Sequence, residues 1–181
     1  MVFSPVAAPP ARPVPGHDRW HPDIPAVAEV ITGGSVRMEC AARADGADAL
    51  LCGPLVVVGA APGDVIVVDV LGVGRADGVP ARAGHPGVIG CAPEGGAPVR
   101  SAARGRQIGS CAIAPLAAGS RILLPVHVLG AKLSVGDLHF PASGADDCRR
   151  AAHAGWIDLR INLTRRGVER FRVTGPMLMP S

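Results

Sequence analysis

Apolar and polar residues alternate in two short runs of this chain, residues 35–40 (SVRMEC) and 156–163 (WIDLRINL). An alternation with a period of two places every second side chain on one face of a β-strand. Each run therefore predicts a strand with one buried face and one face toward solvent. The predicted inward residues are Val36, Met38 and Cys40 in the first run and Ile157, Leu159, Ile161 and Leu163 in the second.

Two longer segments are rich in β-branched and other aliphatic residues and are interrupted only by turn signals. Residues 54–73 (PLVVVGAAPGDVIVVDVLGV) predict two strands joined by a turn, because Pro62 and Gly63 suit the central positions of a type II turn. Residues 120–140 (SRILLPVHVLGAKLSVGDLHF) predict further strands with a bend at 130–132. Helical periodicity is nearly absent from these segments.

The remaining segments predict an arm, a long loop and one short helix. Residues 1–16 are rich in proline and predict an extended N-terminal arm, whereas Gly, Pro and Ala dominate 74–107 and predict a loop with a short apolar stretch, GVIGCAP. Residues 146–155 (DDCRRAAHAG) predict the helix, with Asp146 as its N-cap and the final glycine at its end. Together these patterns predict a mainly β fold, a sandwich or distorted barrel, in one domain over 17–181.

Composition narrows the class of protein. Apolar residues make up 48% of the 181 positions and charged residues 18%, which is too apolar for a disordered chain. Aromatic residues are only 3%, so the core is expected to consist of Val, Leu, Ile and Ala. The net charge is +3, and no basic cluster is interleaved with aromatic residues, so we expect no nucleic-acid partner.

The cysteines and the apolar runs indicate the cellular compartment of the protein. Five cysteines are scattered without a C-x-x-C spacing, which favours reduced thiols over a zinc site or a disulfide framework. No run of 18 apolar residues and no signal-peptide pattern occurs, so no membrane association is expected. We expect a cytoplasmic protein.

The strongest candidate for chemistry is the pair Asp137 and His139 in the stretch GAKLSVGDLHF. Residues two apart on a strand share a face, and a carboxylate beside an imidazole can orient it as a general base. The alternative is structural: Asp137 caps a turn after Gly136, and His139 is solvated or hydrogen-bonded within the fold.

Other polar residues are weaker candidates, each with a structural alternative. His17 and His21 flank Trp20, which could instead pack the N-terminal arm. Cys91 and Cys111 could be nucleophiles or small buried residues. Two further residues lie in predicted strands and could line a pocket: His127, in an apolar run, and Glu39, on the polar face of its strand.

Five segments, in order, resemble the acetamidase/formamidase family. They are HDRWHPDIPAV, GPLVVVGAAPGDVIVVDVL, HPGVIGCAP, AAGSRILLPVHVLGAKLSVGDLHF and AGWIDLRINL, and they cover roughly two thirds of the chain. The resemblance implies a β-sandwich with jelly-roll character and metal-assisted hydrolysis of small linear amides to acid and ammonia. It also implies a pocket position for Lys132, the single lysine.

The chain departs from the family pattern where oxygen ligands are expected. Family members are much longer, and most of the missing length falls between Pro93 and Gly105. The family's Gly-Gly-Asn-x-Asp stretch corresponds to 108–112, where the carboxylate is replaced by Ala112. Asp146 is the nearest acid after GDLHF, where the family has an acidic stretch ending in Glu, and a further family Glu aligns with an alanine. These losses argue against a metal site, so no metal and no cofactor are predicted.

Three hypotheses follow for function. The first is a repurposed family member that performs metal-free acid/base chemistry (cyclisation, isomerisation or dehydration) on a small organic molecule of secondary metabolism. His139 would be the acid or base, Asp137 its orienting group, and Glu39 or Asp146 a second acid. Residues predicted to contact this small-molecule substrate are His17, Trp20, Cys91, His127 and Lys132.

The second hypothesis keeps the family chemistry, in which the chain is an amidohydrolase acting on C–N bonds of small linear amides. The third is a non-catalytic binding or assembly module. Its exposed apolar strands would then form an oligomer interface, with a homodimer as the simplest assembly.

Overall fold

The computed structural model describes residues 16–43, 48–80, 83–101, 108–110, 115–141 and 152–179. These residues form a mainly β protein with a single short helix, as the sequence pattern predicts. The strands are β1 Arg19–Trp20, β2 Ala28–Val30, β3 Ser35–Cys40, β4 Leu51–Val57, β5 Val65–Arg75, β6 His85–Cys91, β7 Val99–Arg100, β8 Ile108–Ser110, β9 Arg121–Pro125, β10 Leu133–His139, β11 Gly155–Thr164 and β12 Met177–Met179, with helix α1 Gly167–Phe171 between the last two strands.

Two five-stranded sheets make up most of the fold. The first sheet has the order β2-β4-β10-β6-β8 and the second the order β12-β9-β5-β11-β3. Strands β1 and β7 form a separate two-stranded pair. Neighbouring strands are antiparallel, except that β2 and β4 run parallel. Neither sheet closes on itself across the described residues, so the architecture is a sandwich and not a barrel.

The inner faces of the two sheets share one aliphatic core. Ile157, Leu159 and Ile161 of β11 are fully buried and lie in the same cluster as Leu133 and Val135 of β10. This confirms the inward face predicted from the alternation of WIDLRINL. Burial of each such side chain stabilises the fold by about 1.5–3 kcal/mol, which makes this core the main reason that the sheets stay together.

The predicted turn between the two β-branched runs carries the chain from one sheet to the other. The Asp64 N–H donates to the Ala61 carbonyl at 3.0 Å, and Gly63 has a φ of 90°, which the third position of a type II turn requires. Because β4 belongs to the first sheet and β5 to the second, this turn connects the two layers.

The prediction of a long loop over 74–107 was wrong for its central part. Residues His85–Cys91 form β6, which lies between β10 and β8 and is buried at every position. A strand that is buried on both faces shows no alternation, and its Gly and Pro residues resemble loop composition. Val99–Arg100 adds the short strand β7.

The described helix is not at the predicted place. Helix α1 covers Gly167–Phe171, whereas residues 146–151 of the predicted helix lie outside the described part of the chain. Gly155, predicted to end that helix, is the first residue of β11. Almost all of the predicted N-terminal arm, 1–15, also lies outside the described residues. Among the residues that are described, no helix has the length and apolar character needed to span a bilayer.

Candidate active site

Strand β10 changes its pattern at Asp137. This residue has a φ of 60°, in the left-handed region that non-glycine residues seldom adopt. As a result the alternation shifts by one position, and Val135 and Leu138, three residues apart, both enter the shared core. The shift leaves the Asp137 and His139 side chains outside that core cluster.

Asp137 and His139 meet near the end of β10. The His139 Nε2 atom lies 3.4 Å from Asp137 Oδ2, and the two side chains are 3% and 17% exposed, respectively. An imidazole held by a carboxylate in a site with little water has a restricted orientation. The structure therefore brings together the two groups that an acid/base site needs.

A second histidine contacts this pair. His85, the first residue of β6, is the register partner of His139, and the two rings meet edge to face with centroids 5.6 Å apart. The His85 Nδ1–H donates to the Ala83 carbonyl at 3.2 Å, and the ring is almost fully buried. His85 is not among the candidate site residues identified from the sequence, although it begins the stretch HPGVIGCAP that resembles the family. Its pairing with His139 depends on strand register, which has no signal in the sequence alone.

Gly87 makes the room that Asp137 needs. A Cβ atom at Gly87 would overlap the Asp137 Oδ2 atom and would lie 2.7 Å from its carbonyl oxygen and 2.8 Å from its Cβ. Real Cβ atoms do not approach backbone this closely. The glycine of the HPG sequence on β6 therefore permits the position of Asp137 on the neighbouring strand.

The family resemblance implies a metal ion, but the described part of the chain contains no group of side chains that could bind one. There, no three His, Cys, Asp or Glu side chains are grouped so that they could hold a metal ion. The described donors therefore do not fit a metal centre by themselves. Asp146 and residues 111–112, which were discussed in the sequence analysis, lie outside the described residues.

Glu39, predicted as a second acid, lies on a strand of the second sheet, whereas Asp137 and His139 lie on a strand of the first. It lies on β3 of the second sheet and is exposed, while its neighbours Met38 and Cys40 point into the core. Because side chains alternate along a strand, Glu39 points to the side of β3 opposite to the shared core.

Lys132 and His127 lie in the connection between β9 and β10. The Lys132 ammonium donates to the Ile24 carbonyl at 2.8 Å, so it fastens the N-terminal segment to the sheet. His127 follows the end of β9 at Pro125 and is half-buried, and not within a strand as predicted. Burial lowers the pKa of His127, although the charge of Glu94 acts to raise it.

Trp20 and Cys91 are packed in the interior. Trp20 is 1% exposed and forms a small cluster with Leu51 and Val88 on the outer face of the first sheet. Cys91 lies in the shared core, and burial raises the pKa of its thiol well above the ordinary value. A thiol that stays protonated is a poor nucleophile, so the position of Cys91 is that of a small buried residue. Trp20 packs the N-terminal segment against the first sheet.

His17 takes part in a chain of hydrogen bonds that includes Ser134, which is not among the candidate residues identified from the sequence. Its Nδ1–H donates to the Arg19 carbonyl at 2.7 Å, which leaves Nε2 to accept from the Ser134 hydroxyl at 3.1 Å. Burial is the main cause that lowers the pKa of His17. Ser134 is 1% exposed, so the pair fastens the N-terminal segment across β10.

A separate cleft of about 190 Å³ lies at the β1–β7 pair. It is lined by Asp18, Arg19, Asp48, Pro98 and Arg100. Arg100 pairs with Asp48 at 2.6 Å and Arg19 with Asp18 at 3.1 Å, so the charges within the cleft largely compensate one another. None of its lining residues belongs to the histidine–aspartate pair.

Comparison with known proteins decides the family. The sequence model of the Acetamidase/Formamidase family matches residues 6–97 and 96–181, which together are nearly the whole chain. The chain belongs to this family. Its two matched segments meet at 96–97, within the stretch where the sequence places most of the missing length.

Two relatives show how much of the family's length this member retains. It is 27% identical to a formamidase from Methylophilus methylotrophus over an alignment of 276 residues, which covers 91% of this chain and 68% of the relative. It is 26% identical to an acetamidase from Mycolicibacterium smegmatis, with 92% and 70% covered. Since the first alignment is longer than the 181-residue chain, this is a shortened family member.

Solved structures support the same fold. A gamma lactamase from Delftia acidovorans superposes with a TM-score of 0.76 at 24% identity, covering 91% of this chain and 68% of the other. An acetamidase from Yersinia enterocolitica gives the same TM-score of 0.76 at 17% identity, with 92% and 69% covered. At these identities the similarity establishes the shared fold of this family member.

Proposed function

We propose that this family member is an amidohydrolase that cleaves the C–N bond of a small amide. The buried contact between the Asp137 carboxylate and the His139 imidazole carries the proposal, because it is an acid/base pair held near one end of the first sheet. The relatives support the same chemistry, since they are a formamidase, an acetamidase and a gamma lactamase.

The pair can perform both proton transfers of amide hydrolysis. His139 takes a proton from the attacking water as the water oxygen bonds to the amide carbon, and Asp137 stabilises the imidazolium that forms. The same imidazolium then gives its proton to the departing nitrogen, and the C–N bond breaks to release the acid and ammonia or an amine. His85, against the edge of the His139 ring, limits the rotation of that ring.

This proposal corresponds to the second hypothesis from the sequence, an amidohydrolase acting on small amides. The first hypothesis, cyclisation, isomerisation or dehydration in secondary metabolism, draws no support from the relatives, which are named for cleavage of amides or lactams. The gamma lactamase extends the amides worth testing from linear to cyclic ones. A non-catalytic module, the third hypothesis, predicts no turnover of any of them.

The test measures ammonia release from formamide and acetamide and ring opening of 2-pyrrolidinone. Replacing His139 by alanine should lower kcat roughly 10²- to 10⁴-fold, the usual contribution of a general acid/base group. Asp137→Asn should give a smaller loss, with KM nearly unchanged, because it removes the orienting charge and keeps the imidazole. Asp77→Asn, an exposed carboxylate paired with Arg75, serves as the matched control.

Each outcome bears on a different part of the proposal. Full activity in His139→Ala would remove His139 from the mechanism, provided that circular dichroism shows a folded variant. A wild-type chain that leaves all three amides intact, with and without added zinc, would refute amide hydrolysis.

A further inference from the structure

Two thiols from different sheets meet at the edge of the shared core. Cys40 is the last residue of β3 in the second sheet, and its Sγ atom lies 3.9 Å from the Val135 carbonyl oxygen of β10. On β10, Val135 is the register partner of Cys52 of β4. The Cys52 side chain packs against the same core cluster that contains Cys40. Neither cysteine forms a disulfide in the structure.

The two thiols differ in exposure and acidity. Cys40 is buried, whereas Cys52 is only half-buried. The hydrogen bond from the Cys40 thiol, helped by the Gly53 backbone, lowers the pKa of Cys52. The same hydrogen bond, together with burial, raises the pKa of Cys40. Cys52 is therefore the more accessible and more nucleophilic sulfur, and Cys40 is the thiol behind it.

We propose that Cys40 and Cys52 form a redox-sensitive pair, which a hydroperoxide oxidises to a disulfide between the two sheets. Acid/base chemistry at His139 does not use these sulfurs, so the proposal is independent of amide hydrolysis. The bond would tie the edge strand β3 to β4 and close the chain segment 41–51 into a loop.

The reaction balances with the hydroperoxide as the single oxidant. The Cys52 thiolate attacks the O–O bond, which forms a sulfenic acid at Cys52 and releases water or an alcohol. The Cys40 sulfur then attacks the sulfenic sulfur, the S–S bond forms, and the hydroxyl leaves as water with the Cys40 proton. Overall, two thiols lose two electrons and two protons, and the peroxide is reduced.

Peptide mapping of the full-length chain tests the pair directly. Trypsin cleaves after Arg43, so Cys40 falls in the 38–43 peptide and Cys52 in the 44–75 peptide. After treatment of the reduced chain with hydrogen peroxide, non-reducing mass spectrometry should show these two peptides joined. Titration with a thiol reagent should show the loss of two thiols per chain, and dithiothreitol should restore both.

Serine variants separate this pair from other sulfur chemistry. Cys52→Ser should abolish the joined peptide, and Cys40→Ser should leave Cys52 to proceed to the sulfinic acid. Cys91→Ser is the matched control, because Cys91 is a buried core thiol, and the crosslink should persist in it. Circular dichroism before oxidation verifies that each variant is folded.

Two results would overturn the proposal. One is oxidation of Cys52 to the sulfinic acid in the wild-type chain at the same rate as in Cys40→Ser, without joined peptides. The other is survival of both thiols under peroxide concentrations that fully oxidise free glutathione.

Discussion

A single buried carboxylate, Asp64, holds together the turn between the sheets and the start of α1. Its oxygens accept from the Ala61 N–H at 3.0 Å, the Arg166 N–H at 2.9 Å and the Arg165 guanidinium at 2.9 Å. Burial alone would raise the pKa of Asp64, but these hydrogen bonds outweigh it and lower the pKa below its ordinary value.

Asp64→Asn should lower the free energy of unfolding at pH 7 by about 1–3 kcal/mol, because charge-assisted hydrogen bonds become neutral and one acceptor is lost. The pKa of Asp64 is lower in the folded than in the unfolded chain. Its stabilisation is therefore complete above the unfolded pKa of about 3.9 and is lost as the pH falls through the folded value. Urea unfolding at pH 7 and near pH 3 should show the difference between wild type and variant shrinking.

Asp23→Asn is the control for this measurement, because the Asp23 side chain is 88% exposed and its replacement should leave the stability unchanged. A difference between wild type and Asp64→Asn that stays constant over the pH range would contradict the role assigned to the charge.

At the scale of elements, the outer face of the second sheet shows how glycines on one strand accommodate an aromatic ring from the next. Trp156 of β11 lies over Gly72 and Gly74 of β5. The Arg37 guanidinium covers the ring 4.1 Å from its centroid and is held there by two hydrogen bonds to Asp158, at 2.8 and 2.7 Å. This cross-strand arrangement links β3, β11 and β5.

Gly74→Ala should displace the Trp156 ring, because a Cβ there would overlap ring carbons and lie 2.7 Å from Nε1. We expect a loss of about 1–3 kcal/mol in the free energy of unfolding, typical of overpacking, and a change in tryptophan emission. Gly72→Ala is the matched control, since its Cβ would lie 3.3 Å from the nearest ring atom. Equal effects of the two variants would contradict this account of the ring's position.

The pairing of β6 with β10 allows a test of the active site that removes no titratable group. Gly87→Ala should push Asp137 away from His139, because the added Cβ would meet the carboxylate and the backbone of Asp137. The expected result is a loss of amide-hydrolysing kcat comparable with that of Asp137→Asn. Gly95→Ala, where no atom lies within 4 Å of the added Cβ, should keep wild-type kcat. Unchanged kcat in a folded Gly87→Ala variant would mean that Asp137 does not act through its contact with His139.

These elements also show what the sequence could and could not predict. Strands β3 and β11 were predictable because each has one solvent-exposed and one buried face, which produces an alternation of polar and apolar residues in the sequence. Strand β6 was not, since burial on both faces and its Gly and Pro residues remove that pattern. For the site, spacing suggested that Asp137 and His139 meet, but the left-handed conformation of Asp137 and the register that brings in His85 arise only from strand pairing.

At the scale of the whole molecule, the two family segments meet in a connection between strands. The matched family segments meet at 96–97, in the connection between β6 and β7 and not within a strand. The core between the sheets and the Asp137–His139 contact depend on strands on either side of that connection. A shortened family member can therefore keep the scaffold that positions its histidine.

The N-terminal segment joins this scaffold through His17, and that attachment should make stability depend on pH. The His17 backbone exchanges two hydrogen bonds with Leu51, at 3.0 and 2.7 Å, and its ring accepts from the Ser134 hydroxyl. Because burial lowers the pKa of His17 in the folded chain, the unfolded chain binds more protons near pH 6. This stabilisation is present above the unfolded pKa of about 6.5 and is lost as the pH falls through the folded value.

Urea unfolding of wild type between pH 7.5 and 5 should therefore show stability falling with pH, and His17→Gln should show a shallower fall, because the titrating ring is gone. Part of the fall should remain in that variant, since burial lowers the pKa of His127 as well. Ser134→Ala provides the contrast: it should lower stability by about 1 kcal/mol at every pH, through the lost hydrogen bond, while the pH dependence persists. If His17→Gln and wild type lose stability in parallel, the imidazole does not couple the N-terminal segment to the sandwich, and backbone pairing with Leu51 alone holds the segment in place.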